Sequence, residues 1–228
     1  MTMLLSRNRL FERKAPSREA KSIYIFCEGK RREKHYFDYF KELDSRINVE
    51  VYELDEKEDN SPLGLLKIAQ RSMLESDDNP NPIYNFQDND EVWIVLDTDP
   101  DKHESRKEQI EHIRNEVSKL EAWSVTESNP CFEVWLYYHF HEQFEVFESS
   151  DFCKGWKDKV NQAIPGGFDS RKHPIFVQRA TVHAEKNFKS HESGHPSVGS
   201  TEVYHLSKSI LPLVHDKIKD ALEKNGLE

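Results

Sequence analysis

The chain has 228 residues, of which 36% are hydrophobic and 32% charged, enough apolar content for one packed domain with an appendage and too much for a disordered chain. No stretch reaches the roughly 18 apolar residues that a membrane span requires, and no apolar signal core follows Met1, so a cytoplasmic protein is expected. The formal charge of −10 argues against polyanion binding, but residues 1–41 carry eleven Lys/Arg against five acids, a surplus of six positive charges that leaves −16 for the remainder.

Residues 1–20 show no sustained periodicity and are expected to form a basic arm, mobile or loosely docked. The segment "KSIYIFCEGKRREKHYFDYFKEL" then reads as an apolar strand, a Glu-Gly break and a helix with Tyr36, Phe37 and Phe40 on one face. A second strand is expected over "VEVYEL" at 49–54. The next helix opens with Ser61 as N-cap and Pro62 at its first position.

A Pro/Asn-rich loop leads to the strand "EVWIVL" at 91–96. An acidic turn and an amphipathic helix from about 104 to 121 follow, with Ile110, Ile113, Val117 and Leu120 on one stripe. "AWSVTES" reads as a further strand, and "NPCFEVWLYYHF" as a sharp turn at Asn129-Pro130 followed by helix. Strands alternating with helices predict an α/β core over 21–145 with a mostly parallel, Rossmann-like sheet covered on both faces. Residues 146–228 read as a helical C-terminal extension packed on that core.

In such sheets the ligand site lies beyond the carboxyl ends of the strands, where Glu28, Asp97, Asp99 and Asn129 each follow a predicted strand. "DTDPD" places Asp97, Asp99 and Asp101 together, and crowded carboxylates repel unless a cation neutralises them. Aspartate oxygens suit Mg²⁺ or Mn²⁺; a loop with a helix N-cap is the alternative for these residues. Lys30, Arg31 and Arg32, just past Glu28, are candidates for substrate phosphate or ordinary solvated charges. Asn129 could orient a water or the loop. Glu133, in the first turn after Asn129-Pro130, is expected to point away from the buried face formed by Phe132, Trp135 and Leu136.

Cys27, Cys131 and Cys153 are far apart in sequence with no CxxC pair and read as buried thiols. His139 is assigned to core packing, and His191 and His195 to a loop, because Gly194 and Pro196 disfavour a helix there. No G-x-x-x-x-G-K-[ST] loop is present, which excludes a P-loop ATPase on motif grounds.

"IYIFCEGKRREKHYF" followed by "VWIVLDTDPD" resembles the Toprim arrangement, a glutamate after the first strand and a DxD after a later one. With "SNPCFEVWLYYHF" added, the chain resembles the RloB-like family of bacterial proteins linked to restriction and phage-defence loci. The match covers residues 21–141 and, more faintly, "PSVGSTEVYHLSKSIL". The resemblance implies a Toprim-like fold and an Mg²⁺- or Mn²⁺-dependent nuclease, with RNA slightly favoured over DNA. Asp97 and Asp99 would hold the metal and Glu28 would serve as general acid/base or second metal contact; independently of the resemblance, Glu133 is placed in the catalytic set because its turn lies at the same sheet edge. The resemblance also implies nucleic acid, and partner proteins of a defence locus, as partners. Where family members commonly carry Thr before the glutamate at Glu33, this chain has Arg32. A non-catalytic nucleic-acid-binding or regulatory subunit is the alternative.

Overall fold

The computed structural model describes residues 11–99, 105–164 and 166–227; Asp101 and the first half of the basic arm fall outside them. Five strands form one sheet in the order β2-β1-β3-β4-β5: β1 (Lys21–Cys27), β2 (Ile47–Val51), β3 (Glu91–Asp97), β4 (Trp123–Asn129) and β5 (Ser200–Thr201). The first four pair in parallel and β5 is antiparallel to β4. The helices are α1 (Arg32–Asp38), α2 (Pro62–Met73), α3 (Ser105–Val117), α4 (Glu133–Tyr137), α5 (Cys153–Ala163), α6 (Val177–Asn187) and α7 (Val203–Asn225).

The alternation of side chains along each strand feeds two separate cores. Ile23, Ile25 and Cys27 of β1 and Trp93 and Val95 of β3 meet α1 and α4–α7 on one face. Tyr24 and Phe26 of β1 and Val92, Ile94 and Leu96 of β3 meet α2 and α3 on the other. A strand buried on both sides has no polar face to show, which is why these segments read as unbroken apolar runs. The helix expected after Ser61 is present, and the Ser61 hydroxyl accepts from the Gly64 N–H at 3.2 Å. Helix α3 ends at Val117, short of the expected 121, but Ile110, Ile113 and Val117 are buried as the stripe requires.

The C-terminal extension shares the first core through Trp156, Ile175, Val177 and Ile210. It also contributes β5, which sequence periodicity did not anticipate. The described part of the arm is docked: the Lys14 N–H bonds the Glu42 carbonyl and the Ser17 N–H the Ser45 carbonyl, both at 2.8 Å. Phe11 packs edge-on to Tyr39. Among the described residues no helix is long and apolar enough to cross a membrane.

This strand order matters for the site. From β1 the chain moves outward through α1 to β2, then returns through α2 on the opposite face to place β3 on the other flank of β1. The chain leaves β1 through α1 toward β2 and leaves β3 through α3 toward β4 on the opposite side, so the carboxyl ends of β1 and β3 form the switch point of the sheet. Register puts Cys27 beside Val95, so the residues that follow, Glu28 and Asp97, emerge side by side.

Candidate functional site

Of the acids expected at one rim, Glu28, Asp97 and Glu133 lie close enough to feel one another's charge, and Glu33 joins them; Asp99 follows in the turn beside Cys153. The Asp97 N–H lies 3.4 Å from Glu28 Oε2. Asp97 is surrounded by the fields of Glu33, Glu28 and Glu133, and desolvation followed by these charges pushes its carboxyl well above the ordinary range. Asp99 takes a left-handed backbone with φ of 42°, which a short polar side chain tolerates. Its N–H donates to the Pro130 carbonyl at 2.9 Å, and the Thr98 N–H to the Ser128 carbonyl at 2.8 Å. The acidic turn is thereby tied to the end of β4.

Glu33 is the acid that strand-end reasoning left out of the candidate set. It is buried on the first turn of α1, and desolvation, then the charges of Glu133 and Glu28, raise its pKa from 4.5 to about 7. The glycine after Glu28 exists for this carboxylate: a Cβ at Gly29 would fall 1.7 Å from Glu33 Oε2. Gly29→Ala should therefore push the buried Glu33 carboxylate out of its place and weaken divalent-cation binding roughly tenfold or more. Calorimetric titration checks the loss.

The raised pKa gives a second expected result. The folded state holds the Glu33 proton more tightly than the unfolded chain, so the ionised carboxylate subtracts stability progressively as pH rises from about 4.5 to about 7. Glu33→Gln should gain on the wild type by a few kcal/mol across that window. Saturating Mg²⁺ should shrink the difference. Urea melts at several pH values read it directly.

Two arginines are built into the ring. Arg106, buried near the start of α3, pairs with Glu28 and donates from Nη2 to the Asp97 carbonyl at 2.7 Å and from Nε to the Thr98 carbonyl at 3.2 Å. Arg32 pairs with Glu133 at 2.7 Å. Glu133, expected to point away from the buried face, is itself buried, as is every residue of α4. Among the described residues, these two guanidiniums pair with Glu28 and Glu133.

The remaining candidates are placed differently from one another. Lys30 reaches the Asp55 carbonyl at 2.6 Å, Arg31 stands exposed at the N-cap of α1, and Arg32 serves Glu133. The Asn129 amide donates to the Pro196 carbonyl at 2.7 Å, a tie between β4 and the loop before β5.

The cysteines are less dispersed than their sequence separation suggests: Cys131 and Cys153 lie side by side, and Cys153 Sγ is 3.8 Å from Asp99 Oδ1. Cys27 and Cys131 are buried as expected, Cys153 only partly. His139 is core, fully buried and 3.0 Å from the Tyr36 hydroxyl.

Among the described residues, no three His, Cys, Asp or Glu side chains are arranged to hold a metal ion as they stand; Glu28 is turned into Arg106 and Glu133 into Arg32. The donor set nonetheless suits a hard dication. No basic side chain bonds the Asp97 or Glu33 carboxylate among the described residues, and both acids sit in surroundings that penalise their charge. Oxygen donors with a residual negative charge are what Mg²⁺ and Mn²⁺ select.

A search of curated proteins returns no match, and neither does a search of solved structures. The profile of the family described as RloB-like protein matches residues 23–210, a span that includes most of β1, β3, β4 and the carboxylates of Glu28, Glu33, Asp97, Asp99 and Glu133. The chain belongs to the RloB-like family.

Proposed function

We propose that this RloB-like protein is a divalent-metal-dependent nuclease of Toprim-like chemistry that hydrolyses phosphodiester bonds, RNA in preference to DNA, in the bacterial cytoplasm as part of anti-phage defence. One observation carries the reading: Glu28 just after β1, Glu33 of α1, Asp97 of β3 and Glu133 of α4 crowd together at the carboxyl ends of a parallel sheet, where desolvation and mutual repulsion raise the pKa values of Asp97 and Glu33.

Asp97, Asp99 and Glu33 would hold Mg²⁺ or Mn²⁺. When bound, such an ion polarises a phosphoryl oxygen and lowers the pKa of an attacking water. Glu28 would take or return the proton of that water, with Arg106 fixing the direction of its carboxylate. Arg31, exposed just outside the rim, would meet substrate phosphate, and Arg32 could do so from its station on Glu133. Incubating the purified protein with RNA and with DNA, with Mn²⁺ or with chelator, tests the proposal: metal-dependent scission of either polymer supports it, and intact polymers throughout count against it.

The two acid–arginine pairs favour one other reading, a nucleic-acid-binding or regulatory subunit in which internal cations have replaced the metal. That protein would bind nucleic acid with steep salt dependence, and binding would survive both chelation and Asp97→Asn.

A further inference from the structure

A second group of titratable side chains lies behind the acidic turn, on the far side of β4. Glu127, almost fully buried, accepts the Thr98 hydroxyl at 2.9 Å on Oε1. Its Oε2 receives Arg114 at 2.9 Å and His195 Nδ1 at 2.8 Å. Glu202, just ahead of α7, shares Arg114 and accepts the Glu127 N–H at 3.0 Å.

The bond from Nδ1 fixes the tautomer of a neutral imidazole: the proton is on Nδ1 and the Nε2 lone pair is left open. Nε2 has no hydrogen-bond partner although the ring is only 7% exposed. Opposite it, at 3.4 Å, is Oε1 of Glu111, a half-exposed residue of α3. A lone pair facing a carboxylate oxygen is repulsive unless a positive particle lies between them.

We propose that His195 Nε2 and the Glu111 carboxylate form a site for a zinc-like divalent cation, separate from the acid ring, with Glu127 as the carboxylate that orients the imidazole. The spacing is right: a tetrahedral ion with bonds of about 2.0–2.1 Å sets neighbouring ligand atoms about 3.3–3.4 Å apart. The support is right as well, because a metal-binding histidine nearly always donates its other ring N–H to a carboxylate or carbonyl. Charge agrees, since three carboxylates, Glu111, Glu127 and Glu202, stand around a single guanidinium, Arg114. Glu111 opens to solvent, so water completes the coordination. A borderline metal suits this nitrogen and oxygen pair better than Mg²⁺ does.

A proton competes for the same lone pair. The hydrogen bond to Glu127 leads the effects that raise the His195 pKa above its ordinary value, with Glu111 adding to it and burial and Arg114 opposing. Cation affinity at this site should therefore rise with pH as the imidazole loses its proton, and binding should release that proton.

The test is calorimetric titration of the full chain with Zn²⁺ in excess Mg²⁺, which occupies carboxylate-only sites. The wild type and Asp97→Asn should take up Zn²⁺ alike, which separates this site from the nuclease proposal. His195→Gln and Glu111→Gln should lose that uptake, and Glu127→Gln should weaken it about 10–100-fold. Glu111 is a surface residue, so its replacement leaves the fold intact and keeps the test decisive if the Glu127 variant misfolds. Absence of Zn²⁺ uptake in the wild type, or equal uptake in the His195 and Glu111 variants, overturns the proposal and leaves an imidazolium ion pair in its place.

Discussion

Asp97→Asn is expected to lower metal-dependent phosphodiester cleavage by roughly 10²–10⁴-fold, equivalent to about 3–5 kcal/mol of transition-state stabilisation. Asparagine keeps the size of the side chain and one oxygen, but removes the charge nearest the centre of the acid ring. The fold should not suffer. Asp97 is held among Glu33, Glu28 and Glu133 at a cost, so the neutral variant should melt at or above the wild-type temperature without metal and gain less from Mg²⁺. Asp88→Asn, an exposed acid in the loop before β3, is the matched control and should change neither property. Initial cleavage rates and thermal melts of the three proteins, with and without Mn²⁺, make the comparison. Equal rates for wild type and Asp97→Asn would remove the enzyme from the account.

The second large effect belongs to Arg106. Its side chain is 7% exposed and Glu28's is 9%, so truncating the arginine leaves a buried carboxylate without its guanidinium and strips two carbonyls of the acidic turn of their donor. Breaking a buried pair from one side costs about 3–5 kcal/mol, and Arg106→Ala should lose stability on that scale in urea unfolding. Much of that loss is the stranded charge, so Glu28→Gln introduced into Arg106→Ala should recover part of it. Mg²⁺ should stabilise Arg106→Ala more than it stabilises the wild type, because the dication then meets a Glu28 released from the Arg106 guanidinium. A loss under about 1 kcal/mol, unaffected by metal, would show the pair to be decorative.

Much of the architecture was legible because its signals are local. Apolar runs bounded by turns marked β1, β3 and β4, the Ser61-Pro62 pair marked the start of α2, and strand–helix alternation implied that Glu28 and Asp97 would share a rim. The two-residue strand β5 is too short to carry a period, and it exists because β4 has an open edge for Ser200 and Thr201 to pair with. Of the site, the acids that end strands could be found from sequence. Glu33 was harder, since it lies on a helix, yet the "EGKRRE" spacing carried a signal in Gly29, whose missing side chain makes room for that carboxylate.

Other members of the site had no local signal at all. Arg106 reaches Glu28 across 78 residues and His195 reaches Glu127 across 68, and neither lies in a pattern that distinguishes it from a surface charge or a loop histidine. Lys30 illustrates the reverse error of proximity: it directly follows the Glu-Gly pair, but the nearest acceptor for its ammonium is the Asp55 carbonyl beyond β2. Sequence adjacency brought the residue near the rim, and the backbone of another loop decided where its charge went.

The most direct measurement is a calorimetric titration of the purified wild-type chain and of Asp97→Asn with Mn²⁺. If the switch-point carboxylates are a cation site, the wild type takes up the ion with saturable heat and Asp97→Asn takes up far less. Indistinguishable isotherms, or no heat from the wild type, would mean that this ring is neutralised by the protein's own cations and takes no metal.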